Sequence, residues 1–404
     1  MSDWCLFASE SSKNTINPVR EIVGSIHLPD DFHMPTYSLA LADPSVFPDF
    51  AANPMMVDTV SQCLQSGKGN GYTDSSGTRD ARDTIAREFS YPNIALTYND
   101  VIMDVGATGA MNTVLHAFLD PGDNILIPSP GFPLYKTMAM NMSAEAILYD
   151  LQPMKDWEVD LEDLERKVND RTKLLVIINP SNPCGSVYSK EHLLEILEWA
   201  EEHKICVLAD EVYHNMTYGR TYYPLGSLTS QVPVFTVGSM SKTFLVPGWR
   251  CGWLIIYDLY NRCQQIREGI SKVKNMLQHT APFIMQALPK IFKEMPHDHF
   301  PTLMAKIKER AELVLAKVRE IPCLSMELPQ GAMYCMINID FSKLILKDSL
   351  TFAQKLAHNQ GVLVMPAEAC LGKNGFRIVL CQPIYVIEEC MERIETFLEN
   401  HSIS

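Results

Sequence analysis

Between residues 101 and 257 the chain alternates short apolar runs with amphipathic stretches, and that alternation leaves few folds open to it. The runs at 101–105, 124–127, 174–178, 205–209, 234–237 and 251–257 are continuous stretches dominated by Val, Ile and Leu. Strands of that kind are buried on both faces, which requires helices above and below the sheet. The stretch SKEHLLEILEWAEEHK (189–204) offers such a helix, with Leu193, Ile196, Leu197 and Ala200 on one face. Alternating strands and helices predict an α/β fold with crossover helices. Open sheets of this class bind ligands beyond the carboxyl ends of their strands. The chemically unusual residues of this chain stand at those ends.

The run VPVFTVG (232–238) leads directly into SMSKTFLVPGWRCGW (239–253), where Lys242 sits between Ser241 and Thr243. A lysine at the mouth of a core strand is costly unless its ammonium is paired or its amine is used chemically. A desolvated lysine amine is a nucleophile toward carbonyls, and the aldehyde of a pyridoxal cofactor is a common resident carbonyl. Ser239, Ser241 and Arg250 would then hold the phosphate of that cofactor. A lysine snorkelling from a strand end fits the same position. In ICVLADEVYH (205–214) a second strand ends at Asp210, with Tyr213 three residues on. A carboxylate there keeps a pyridine nitrogen protonated, and a tyrosine hydroxyl tunes the ring oxygen. In KLLVIINPSNPCG (173–185) a third strand breaks into a loop carrying Asn182, a donor to that same oxygen. Asp210 and Glu211 would also serve as a helix cap, and the Asn-Pro pairs as simple turns.

Together these segments resemble the fold-type I pyridoxal-phosphate enzymes, in particular the class I aminotransferases and their tyrosine aminotransferase branch. The resemblance rests on NPVREIV (17–23), GNGYTDSSGTRDAR (69–82), PSPGFPLY (128–135), NPSNPCGSVYSKEHL (179–193), LADEVY (208–213), SKTFLVPGWRCGW (241–253), PQGAMY (329–334) and FRIVL (376–380). It implies a large domain with a mostly parallel seven-stranded sheet flanked by helices, and a smaller discontinuous α/β domain. The boundaries expected are 1–45 for an amino-terminal arm joining the small domain, 46–302 for the large domain and 303–404 for the small one. The charged run LMAKIKERAELVLAKVRE (303–320) reads as the connector between them.

The resemblance also implies roles. Pyridoxal 5'-phosphate is the expected cofactor. Its phosphate would meet Ala107 and Thr108 in VGATGAMNTVLHAF (105–118), where a strand turns into a helix whose free N–H groups favour an anion. Relatives often carry a serine where Val105 or Gly106 stands, so one side-chain contact is expected to be missing. Phe132 would stack on the ring, or else lid the core. Tyr72 would reach the phosphate of a neighbouring subunit, making the active unit a homodimer with shared sites; a packed aromatic beside a glycine turn is the alternative. Arg377 would clamp the substrate carboxylate, with Arg20 a second positive group near the mouth. Ala42 stands where many relatives place a glycine against the substrate.

Lys242 would act as general base and acid in two half-reactions, with Asp210 and Tyr213 serving the ring and 2-oxoglutarate the expected acceptor. Aspartate-specific relatives place a second arginine for the distal carboxylate. SKVKNMLQHTAPF (271–283) has none, although Lys274 is close. Aromatic amino acids are therefore the expected substrates. An alanine or broad-specificity aminotransferase, a carbon–sulfur lyase on the same frame, and a catalytically silent binding homologue remain alternatives.

Bulk properties bound the rest. A net charge of −14 without a basic stripe argues against nucleic acid. No run approaches the eighteen apolar residues of a membrane span. The 11 cysteines, among them Cys5, Cys63, Cys184 and Cys206, form no CxxC pair and read as reduced thiols; nothing calls for a metal. MSDWCLFASESSKN (1–14) has neither a secretory apolar core nor an Arg-rich import pattern, so the cytoplasm is the expected location.

Overall fold

A computed structural model describes residues 6–29, 32–229, 231–276 and 278–403; residues 1–5, Cys5 among them, and 30–31 of the expected amino-terminal arm lie outside the described residues. Each apolar run is a strand of one large sheet. In chain order these are β1 (Val101–Val105), β2 (Asn124–Ser129), β3 (Glu145–Gln152), β4 (Glu158–Val159), β5 (Thr172–Ile178), β6 (Cys206–Asp210), β7 (Val234–Ser239) and β8 (Cys251–Tyr257). They lie in the order β1-β8-β7-β6-β5-β2-β3-β4. The neighbours from β7 through β3 run parallel, β8 is antiparallel to both β1 and β7, and β4 is antiparallel to β3. Among the described residues the sheet therefore has eight strands rather than seven. The additional strand is the two-residue edge β4, too short to leave a pattern in the sequence.

Successive residues of β5 show why these strands are apolar throughout. Leu174, Val176 and Ile178 join one apolar cluster, while Leu175 and Ile177 join another on the opposite face. Both clusters are covered by helices, giving a three-layer arrangement. The helices that matter below are α1 (Pro18–Gly24), α2 (Gly106–Phe118), α3 (Gln264–Lys274), α4 (Pro282–Glu294), α5 (His299–Glu320) and α6 (Ile384–Glu399). The 189–204 helix spans Lys190–His203, capped by the Ser189 side chain, with its four expected apolar residues buried.

A second, antiparallel sheet places Leu324–Ser325, Tyr334–Ile339, Gly375–Val379 and Met365–Pro366 side by side. Helices α5 and α6 pack on it through Ile307, Val314, Ile387 and Ile394. Tyr37–Ser38 pairs in parallel with Val362–Leu363, which ties the amino-terminal segment to this later part of the chain. Arg377 lies on its strand opposite Met336. Two residues on, Val379 donates to the Leu39 carbonyl, which ties the segment around 39–42 to this sheet, and the Lys242 ammonium donating to the Ala42 carbonyl brings it beside the end of β7. Among the described residues no helix is long and apolar enough to cross a membrane.

Candidate active site

Sheet register brings the three strand ends together. Asp210 on β6 pairs with Ile178 on one side and Val237 on the other. The segments that follow β5, β6 and β7 therefore emerge as neighbours, carrying Asn182, Asp210 to Tyr213, and Ser239 to Lys242. The reversed strand β8 begins beside the end of β1, with Val105 opposite Cys251 and Ser239 opposite Gly252. Arg250, one residue before β8, is thereby delivered to the β1–α2 turn. These ends border a cavity of about 580 Å³.

Lys242 points its ammonium at the Ala42 carbonyl oxygen, 2.6 Å away. Asp210 is buried, accepts from the Tyr135 hydroxyl at 3.0 Å and from the Val212 amide at 3.4 Å. Desolvation pushes its carboxyl up to about 6, against the pull of those two donors. Glu211 is likewise pushed up, to about 7, by burial, and its Oε1 accepts from the Leu225 amide at the start of the short Leu225–Leu228 helix. The helix-cap alternative holds for Glu211 and not for Asp210.

Tyr213 shares a 2.8 Å hydrogen bond with the Tyr334 hydroxyl. Burial, reinforced by that neighbouring phenol, holds the Tyr213 phenol well above its ordinary value, so it stays a donor at neutral pH. Arg377 is buried with one Nη donating to Asn182 Oδ1 at 3.1 Å and the other to the Ala40 carbonyl at 2.9 Å. Its guanidinium lies 4.5 Å from the centre of the Tyr334 ring, and its Nε has no hydrogen-bond partner among the described residues.

At the other end of the cavity, Ala107 and Thr108 open α2, whose first turn has no side-chain cap. Its amide hydrogens are therefore available to an anion. Gly106 has φ +68°, and a Cβ there would come within 2.6 Å of Arg250 Nη2. A side chain on Gly252 would collide with the Gly106 backbone, so glycine at both positions lets the turn close. Arg250 donates to the carbonyls of Pro247 at 2.8 Å and Val105 at 3.3 Å. Ser239 accepts from the Ser241 amide at 3.3 Å, and both hydroxyls border the cavity.

The family described as Aminotransferase class I and II matches residues 47–394. The chain belongs to that family. Tyrosine aminotransferase from Mus musculus is 36% identical over 401 residues, covering 98% of this chain and 88% of the relative. Nicotianamine aminotransferase 1 from Oryza sativa subsp. japonica is 34% identical over 403 residues, covering 98% and 81%. Among solved structures, tyrosine aminotransferase from Leishmania infantum superposes with a TM-score of 0.95 at 27% identity, over 100% of both chains. Alanine aminotransferase from Pyrococcus furiosus gives 0.92 at 31% identity, over 98% and 100%.

This aminotransferase is a pyridoxal-phosphate enzyme, and the cavity fits that cofactor. An uncapped helix start and an arginine fork stand at one end, and a buried carboxylate and a lysine amine farther in. The residues expected from the sequence line this one cavity, Phe132 and Ala42 included, with two exceptions. Tyr72 is fully exposed and outside it, and Arg20 lies in an adjoining groove beside Asn17 and Leu134. Lys274 is not near a substrate: its ammonium is buried 3.0 Å from Asp104 Oδ2, beneath α2. No role for Tyr135 or Tyr334 is visible in the sequence. Each closes a motif already in view, PSPGFPLY and PQGAMY, but nothing local to either residue says which strand end its hydroxyl will meet.

Proposed function

We propose that the chain transfers the amino group of an aromatic amino acid, tyrosine or phenylalanine, to a 2-oxo acid such as 2-oxoglutarate. The observation that carries this reading is the charge around the cavity. Among the described lining residues the cations are Lys242, Arg250 and Arg377, and the walls are otherwise largely apolar, with Val19, Val23, Leu41, Met111 and Met365 facing it. In this reading Arg250, Ser239, Ser241 and the first amides of α2 hold the cofactor phosphate, and Arg377 clamps the substrate's α-carboxylate in a two-pronged contact. No firm cation is then left for a second carboxylate.

The cofactor, once bound, supplies the sink for the electrons released when the substrate's α-carbon loses its proton. Lys242 Nζ takes that proton and returns it at the neighbouring carbon. Asp210 keeps the ring nitrogen protonated, while Tyr213, oriented by Tyr334, and Asn182 donate to the ring oxygen. Phe132 covers the ring face. Ala42 narrows the wall beside Lys242. Arg20, in the adjoining groove, would add a second positive group near the mouth without firmly pairing a distal carboxylate.

Full exposure of Tyr72 supports a homodimer in which this residue serves the neighbouring subunit's phosphate. The ten described cysteines are free thiols, most of them buried, which supports a cytoplasmic protein. The division at 1–45, 46–302 and 303–404 is our reading of its domains.

Single-turnover rates with tyrosine, phenylalanine, alanine and aspartate test the specificity. An unpaired distal carboxylate should cost aspartate about one to two orders of magnitude in efficiency. Aspartate or alanine equalling tyrosine would overturn the aromatic reading. Release of ammonia and a thiol from cysteine conjugates, without amino transfer, would favour the lyase.

A further inference from the structure

The residue that sequence reading offered as a substrate cation occupies one of the least accessible positions in the molecule. Lys274 ends α3 with its side chain 0% exposed, and its partner Asp104, on β1, is 2% exposed. Taking both charges out of water is expensive, and a hydrophobic pair would often be as stable. The contacts of Asp104 indicate what the expense secures. Its Oδ1 accepts from the Val105 amide at 2.8 Å, and its Oδ2 accepts from the Thr113 hydroxyl on α2, also at 2.8 Å. The same carboxylate is pressed against Gly109, where any side chain would collide with Oδ1.

Both backbone polar groups of Val105 are thus held. Asp104 takes its N–H, and Arg250 donates to its carbonyl at 3.3 Å. Gly106, packed on the same guanidinium, then opens the uncapped turn of α2. A carboxylate placed directly behind amides that receive a phosphate would ordinarily repel it. An ammonium in contact with that carboxylate cancels the repulsion while leaving its hydrogen bonds in place.

We propose that Lys274 and Asp104 are a paired positioning device for the cofactor phosphate: Asp104 fixes the β1–α2 turn, and Lys274 neutralises the charge this requires. The proposal rests on the phosphate lying at the first turn of α2. It assigns no chemical step to either residue.

The test compares pyridoxal 5'-phosphate with pyridoxal, which lacks the phosphate, as ligands of cofactor-stripped protein followed by absorbance and tryptophan fluorescence. Lys274→Met should weaken the phosphorylated ligand 10- to 100-fold and leave pyridoxal within about threefold. Removing the carboxylate's charge as well, in Asp104→Asn with Lys274→Met, should bring the phosphorylated ligand back to within about threefold of the parent. A structural role alone would change both ligands together and would show no such rescue; either result overturns the proposal. If Lys274→Met does not fold, Asp104→Asn by itself reads the same charge: its preference for the phosphorylated ligand should be equal to or above that of the parent, and a preference reduced tenfold overturns the proposal. A parent that does not prefer the phosphorylated ligand would overturn the phosphate placement and the proposal with it. A parent that does, with unaltered preference in Lys274→Met, overturns the proposal alone.

Discussion

Asp210 shows how a residue's chemistry can oppose its stability. In cofactor-free protein the fold carries its carboxyl up to about 6, from an ordinary value of 3.8, because burial removes its water. The folded chain therefore binds the proton more tightly than the unfolded one. The penalty is absent below about pH 4, grows between the two values, and is complete above about pH 6. Asp210→Asn should raise the thermal stability of cofactor-free protein at pH 8 by about 1–3 kcal/mol, with the gain shrinking at pH 5. The same substitution should slow proton transfer about 10²- to 10³-fold while the cofactor still attaches to Lys242. Unchanged activity in Asp210→Asn would mean that the carboxylate is only a structural acceptor. At this scale the sequence exposes residues whose type is costly in or just beyond a core strand: Lys242, Asp210 and Arg377. It misled at Lys274, because an ion pair with Asp104 depends on α3 packing against α2, and their separation of 170 positions in the chain leaves no local signal. Tyr135 was hidden for a related reason: its hydroxyl meets Asp210 across 75 residues.

Among elements, the strands were the most legible because burial on both faces writes itself as an unbroken apolar run. Strand direction was less so: nothing in CGWLIIY (251–257) says that β8 runs against its neighbours, yet that reversal is what carries Arg250 to the β1–α2 turn. The helix expected from 303 begins instead at His299, since the first turn of α5 contains Pro301, a residue tolerated there but weak as a sequence marker. The turn itself gives a prediction. Gly106→Ala puts a side chain at φ +68° and a methyl against Arg250, which should cost about 1–2 kcal/mol in stability and at least tenfold in affinity for the phosphorylated cofactor. Cofactor titration and thermal unfolding of the variant measure the two effects; unaltered cofactor affinity would remove the turn from the phosphate site.

For the whole molecule, the family can be read from motifs spread over nearly the full length, whereas the homodimer rests on the resemblance at Tyr72 alone, because composition and periodicity do not say which exposed residues another copy would cover. Tyr72 puts the question in testable form. Sedimentation should give a dimer, and Tyr72→Ala should weaken cofactor binding without altering that state. Co-expressing Tyr72→Ala with Lys242→Ala should recover activity above that of either variant alone, since a mixed dimer regains one site with both residues intact. Equal activity with and without mixing would confine each site to one subunit. The central claim, that the cavity's chemistry is built around Lys242, is tested most directly by borohydride reduction of the purified yellow protein followed by peptide mapping. The cofactor should be fixed to Lys242, and a Lys242→Ala protein that is still folded should carry no reducible linkage. Recovery of the label on another lysine, or on none, would contradict the account.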